Sequence, residues 1–189
     1  MNVMYKTEDL LLAQGIEIIF FDVDGVFTDG RIICSDTNES LKQFNVLDGQ
    51  GIKWLNDLGV LPVVISGRSG KHVEKRLSDL GIKHIYLGVD KKIDIAERVL
   101  SELNLDWSRA GVMGDDWADL HMIMKCALSC APINAHHEVK SRAKYVSSTK
   151  GGEGAVRDFC DLIITAKGKY QRLLEQALGL RETNEDDYK

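Results

Sequence analysis

Apolar positions along the chain follow two alternating periods. Short runs rich in β-branched and aromatic residues, one starting at Ile18 and others spanning Val60–Ile65, Ile82–Leu87 and Ala110–Met113, are closed by polar turn formers. This is the pattern of strands buried on both faces of a parallel sheet. Between them, Ile52–Leu58 stopped by Gly59, Lys71–Leu80 stopped by Gly81, and Lys92–Leu103 carry apolar residues every three to four positions and read as helices. Leu120–Cys126 and His136–Ala143 read as further helices, Ala127–Cys130 as a short strand and Lys144–Val146 as an edge strand. The strand–helix alternation predicts an α/β fold, a doubly wound (Rossmann-like) parallel sheet with right-handed crossovers.

The ends of the chain are simpler. Thr7, Glu8 and Asp9 before Leu10–Leu12, with Gly15 behind, predict a short helix. Arg31–Cys34 and Ser40–Phe44, joined by Ser35–Glu39, predict a β-hairpin projecting from the sheet. Ala155–Ala166 is amphipathic and helical, with a continuation past Gly168 into Tyr170–Leu178, and Arg181–Lys189 is a charged tail. No repeat or linker divides residues 1–180, so one domain is expected.

Composition narrows the class. The 189 residues are 44% hydrophobic and 28% charged, which is ordinary for a globular domain that needs no disulfide or metal to hold its core. No run is long enough to span a membrane, and the start lacks the basic and apolar regions of a signal peptide, so a cytoplasmic protein is expected. The net charge of −5 argues against a nucleic-acid surface. Cys34, Cys126, Cys130 and Cys160 form no framework; Cys126 and Cys130 flank apolar residues and lack a second ligand pair, so they read as core.

The chemistry gathers where strands end. Asp22 and Asp24 close the first strand, Ser66-Gly67-Arg68 the second, Lys91-Lys92 follow the third through Gly88, and Asp115, Asp116 and Asp119 follow the fourth. Parallel strands deliver their C-terminal ends to one edge, where open α/β sheets bind ligands. Each segment alone is also a turn or helix cap, but their common placement makes a catalytic site. Carboxylates from two strands suit Mg2+, and a serine hydroxyl, backbone N–H groups and a lysine suit a phosphoryl group. That equipment points to phosphoryl transfer with a carboxylate as attacker. Ser66–Lys71 is not a nucleotide-binding P-loop, because two residues rather than four separate its glycines and His72 stands where Ser or Thr is needed. His121, His136 and His137 lack a ligand motif.

The Asp-x-Asp-Gly-Val-x-Thr-Asp-Gly run, the strand ending in Ser-Gly-Arg, the lysine and Gly-Asp-Asp together resemble the haloacid dehalogenase superfamily of phosphatases, in the branch without a cap domain. The likeness covers residues 16–169 and includes Phe44–Gly49 and Gly151–Arg157. It implies that Asp22 is the nucleophile and an Mg2+ ligand. It also implies that Asp24 binds Mg2+ through its carbonyl and serves as acid and base, and that Asp115 completes the protein ligands. Asp116 and Asp119 would support the site. Ser66 and the Gly67 N–H would hold the transferring oxygens and Lys92, with Lys91 as the fallback, the phosphoryl charge. The resemblance further implies a sugar-acid phosphate substrate, 3-deoxy-D-manno-octulosonate 8-phosphate, used for lipopolysaccharide precursors. A nine-carbon sialic-acid-type 9-phosphate is the alternative, and a phospho-accepting receiver module a more distant one. Sugar-acid contacts map onto Asn45, Val46, Leu47, Asp48, Gly49, Lys53, Arg68 and Arg76. Leu47 and Lys53 depart from the family's arginines, and lysine lacks the bidentate fork for a carboxylate. Without a cap, cover is expected from a homotetramer, through the hairpin of one subunit and the Gly151–Arg157 segment of another.

Overall fold

The computed structural model describes residues 5–34 and 40–180; the predicted hairpin loop Ser35–Glu39 and the tail Arg181–Lys189 lie outside them. Six strands form one parallel sheet, β1 Ile18–Phe21, β4 Leu61–Ser66, β5 His84–Leu87, β6 Ala110–Met113, β7 Leu128–Ala131 and β8 Tyr145–Val146, in the order β5-β4-β1-β6-β7-β8. Strands β2 Ile33–Cys34 and β3 Ser40–Leu41 pair antiparallel in a separate hairpin. They are shorter than the pattern predicts, and among the described residues they pair only with each other, so no third strand extends the ladder.

Alternation along β1 builds two cores. Ile19 and Phe21 pack beneath helices α1 Thr7–Gln14, α2 Val46–Asp57, α3 Lys71–Asp79 and α7 Ala155–Ala166. Ile18 and Phe20 face α4 Lys92–Glu102, α5 Leu120–Lys125 and α6 His137–Lys140. Every β1 side chain is thus buried, and the strand sits mid-sheet with β4 on one side and β6 on the other. The chain builds outward to β4 and β5, then returns across β1 to β6, so the direction of winding changes beside β1. That crevice is where such sheets bind ligands.

Two expectations about helices change. Helix α2 begins at Val46 rather than Ile52, so Val46–Gly49 form its first turn, capped by the Asn45 side chain, which accepts from Leu47 N at 2.9 Å. Gly49 and Gly51 lie inside the helix. A Cβ on Gly51 would stand 3.0 Å from Cys160 Sγ of α7, so glycine here allows two helices to approach rather than ending one. Helix α8 Tyr170–Ala177 is a separate element, because the chain turns at Gly168 with φ +70° instead of continuing α7. Helix α7 is itself core, with Phe159, Cys160, Leu162, Ile163 and Ile164 fully buried.

Candidate active site

The strand ends meet. A cavity of about 300 Å3 at the C-terminal ends of β1, β4 and β6 is lined by Asp22, Asp24, Ser66, Arg68, Lys92 and Asp115, among others. Asp22 follows β1 directly, and its N–H still donates to Met113 O at 3.0 Å, so the last sheet-type bond fixes where the carboxylate emerges. The chain then coils back on itself, with Val23 O accepting from the N–H groups of Val26, Phe27 and Thr28. Thr28, buried, holds this loop closed by accepting from Gly25 N at 3.4 Å and Gly30 N at 3.3 Å. Gly25 is obligatory on two counts: its φ is +85°, and a Cβ there would lie 1.9 Å from Asp115 Oδ2.

Lys92 is the centre of charge. Its Nζ stands 2.9 Å from Asp22 Oδ1 and 2.8 Å from Asp119 Oδ1, with all three side chains almost wholly buried. Burial pulls the ammonium down, but Asp119 and Asp22 more than offset this and raise it above its ordinary value. Lys91 is exposed beside it, whereas Lys92 lines the cavity. Asp119 spends both oxygens, Oδ1 on Lys92 and Oδ2 on Asp115 N at 3.2 Å. Asp22 Oδ1 accepts from both Lys92 and Val23 N, the latter at 2.7 Å, and neither contact uses Oδ2.

Negative charge exceeds positive here. Oxygens of Asp22, Asp115 and Asp119 lie within 4.8 Å of one another, and Lys92 pairs with two of the three. Asp115 shows the imbalance: burial first, then the charges of Asp22, Asp119 and Asp116, push its carboxyl up to about 8. Burial and Asp119 also raise Asp22, against the pull of Lys92. A set of carboxylate oxygens with a surplus of charge fits a hard divalent cation such as Mg2+. Because Asp119 is committed on both oxygens, Asp22 and Asp115 are the carboxylates with an oxygen to offer.

Ser66 ends β4 facing the cavity, its Oγ accepting from Arg68 N at 3.3 Å, and Gly67 lines the same wall. Asp116 is exposed at the rim, whereas Asp119, three residues on, is fully buried, which separates two residues that the sequence leaves alike.

The predicted sugar contacts divide. Arg68 reaches the cavity. Lys53 does not, and lines a different cavity of about 540 Å3 with Asn56, Val60 and Lys83, at the opposite end of β4. Asp48 is turned inward, accepting from Arg157 N at 2.9 Å and lying beside the Gly154 and Val156 N–H groups, so it caps the start of α7. Burial pushes its carboxyl up to about 6 against those donors. Arg76 packs against Gly49 on α2, and Val46 and Leu47 are exposed. Asn45 Nδ2 donates to Gly152 O at 3.4 Å. The Gly151–Gly154 turn braces its own chain: Gly152 N donates to Val26 O at 3.0 Å, behind the Asp22 loop. Sequence reading passed over Thr28 and Lys42. Thr28 lay within the motif; Lys42 gave no signal, because only the folded hairpin carries it to an ion pair with Asp24.

The sequence profile of the haloacid dehalogenase-like hydrolases matches residues 87–159. The 3-deoxy-D-manno-octulosonate 8-phosphate phosphatase of Salmonella typhi is 37% identical over 173 residues, 92% of each chain. The crystal structure of the enzyme of that name from Yersinia pestis matches with a TM-score of 0.86 at 37% identity, over 87% of this chain and 89% of that one. The Moraxella catarrhalis enzyme, in complex with magnesium, phosphate and KDO, matches with a TM-score of 0.89 at 30% identity, over 92% of this chain and 99% of that one.

Proposed function

The chain belongs to the haloacid dehalogenase-like hydrolases, and we propose that it is a Mg2+-dependent phosphatase that hydrolyses 3-deoxy-D-manno-octulosonate 8-phosphate to the free sugar acid and phosphate. The observation that carries the reading is Lys92 held between Asp22 and Asp119 beside Asp115 and Ser66, all at the ends of parallel strands.

In this reading the Asp22 carboxylate attacks phosphorus while the bond to the sugar oxygen breaks, leaving an acyl phosphate on Asp22. Asp24 gives its proton to the departing oxygen, then takes one from the water that cleaves the acyl phosphate, so Asp22 is regenerated and the proton count closes. Lys92 neutralises the phosphoryl oxygens, and Ser66 Oγ with the Gly67 N–H orients them. Mg2+, when held by Asp22, Asp115 and the Asp24 carbonyl, supplies positive charge to the transferring group. Arg68 supplies a cation toward the sugar acid.

The same reading takes residues 1–180 as one catalytic domain, cytoplasmic and assembled as a homotetramer. Exposed Ile32, Ile33 and Leu41 on the hairpin, with Val46 and Leu47 at the start of α2, support association of copies. No helix among the described residues is long and apolar enough to cross a membrane. The test is phosphate release from eight-carbon and nine-carbon sugar-acid phosphates and unrelated sugar phosphates, with and without Mg2+. Activity should peak on the eight-carbon ester and vanish in Asp22→Asn; an active Asp22→Asn would remove the assigned nucleophile.

A further inference from the structure

Asp24, which the functional reading uses for proton transfer, meets a cation at each oxygen. Lys42, next after β3 in the hairpin, ion-pairs with Oδ1, and Arg68 Nε stands 3.7 Å from Oδ2. The two contacts are unequal. The Lys42 side chain is 11% exposed and Asp24 25%, whereas Arg68 is 61% exposed, and 3.7 Å is beyond hydrogen-bond reach. Lys42 is therefore the fixed partner and Arg68 the loose one. Lys42 also lines a second cavity of about 320 Å3, which shares Ile32, Gly67 and Arg68 with the phosphoryl cavity. It thus stands where the hairpin, the acid–base residue and the path to the phosphoryl site come together.

A carboxyl group accepts from an ammonium whether it is ionised or neutral, since its carbonyl oxygen remains an acceptor when the other oxygen carries the proton. A partner fixed on one oxygen therefore persists through both halves of a proton-transfer cycle and prevents the group from swinging. We infer that Lys42 is the positioning residue for Asp24: by occupying Oδ1 it leaves Oδ2 as the one oxygen that protonates the leaving alkoxide and later deprotonates water. This rests on the phosphatase reading and extends it to a hairpin residue. It also gives the hairpin a chemical part within its own chain. No atom is added to the cycle; the proton passes from Asp24 Oδ2 to the sugar oxygen and returns to Oδ2 from water.

The test exploits leaving groups. An alkyl phosphate must receive a proton as its P–O bond breaks, whereas p-nitrophenyl phosphate releases a phenolate that needs none. With Mg2+-loaded protein, Lys42→Met should lower kcat/KM for glycerol phosphate and for the sugar-acid phosphate by about 100-fold, and for p-nitrophenyl phosphate by only about 5-fold. Lys42→Arg should restore most of the alkyl activity and the wild-type pH profile. Equal losses on alkyl and aryl esters, or an alkyl rate untouched in Lys42→Met, would overturn the assignment. Should Lys42→Met fail to fold, Lys42→Gln carries the same comparison with a polar side chain. A wild type that hydrolyses glycerol phosphate but no sugar-acid phosphate would defeat the substrate reading alone, since the alkyl-to-aryl ratio still reports on Lys42.

Discussion

At the scale of the residue, the site is a problem in buried charge. Asp119 touches no cavity wall, yet it fixes Lys92 from behind at 2.8 Å. Asp119→Asn should therefore lower kcat by about 10–100-fold, the usual cost of removing a group that orients a site ligand, with little change in fold. Phosphate release and a thermal melt measure the two effects separately. Asp115 carries a second prediction. In protein free of divalent ions its carboxyl is raised from 3.8 to about 8, so the folded state keeps a proton that the unfolded chain gives up. Stability from this group is full below the unfolded value and is lost as pH rises through the folded one. Metal-free protein should accordingly lose stability between about pH 4 and pH 8, and Asp115→Asn should flatten that slope. After allowance for partial exposure and relaxation, the variant should gain about 2 kcal/mol at pH 8 without metal while losing activity. Added Mg2+ should raise the melting temperature of the wild type and leave that of the variant nearly unchanged.

At the scale of the element, helices α2 and α7 lock against each other through three side-chain contacts. The Asp48 carboxylate caps α7, Gly51 lets Cys160 approach, and Arg157 stacks on Trp54 with its guanidinium 4.3 Å from the ring centroid. The family resemblance implies Asp48 as a sugar contact, whereas in the structure it is buried and caps α7. Asp48→Ala should cost about 1–2 kcal/mol in urea unfolding through loss of the cap, while KM for the substrate stays within a factor of about 2. A large rise in KM with unchanged stability would return Asp48 to the binding site. Gly51→Ala should destabilise by about 1–3 kcal/mol, because the added methyl meets the Cys160 side chain in a packed contact.

At the scale of the whole molecule, the hairpin borders the cavity at the strand ends through Ile32. The Gly151–Gly154 turn supports the Asp22 loop of its own chain, and α7 behind it is core. Cutting the chain after Lys150 should therefore unfold it rather than merely uncover the site, as circular dichroism would report. In the proposed assembly the hairpin, with Ile32, Ile33 and Leu41 exposed, is the element that would cover a neighbour. Ile33→Glu should dissociate the proposed tetramer in sedimentation velocity and lower kcat/KM for the sugar-acid ester by about 10-fold or more, by exposing the site to bulk water. A variant that stays tetrameric would separate the hairpin from assembly.

By itself the sequence determined the parallel sheet, the order of its helices and the gathering of Asp22, Ser66, Lys92 and Asp115 at one edge, because hydrophobic period and strand direction are local properties that propagate along the chain. It could not distinguish Asp116 from Asp119, recognise Gly49 and Gly51 as helix-packing residues, or bring Lys42 to Asp24. Those outcomes depend on which groups are buried against one another across long separations in the chain. Burial strips water from a charge and makes the nearest partner decisive, and only the folded structure says which partner that is.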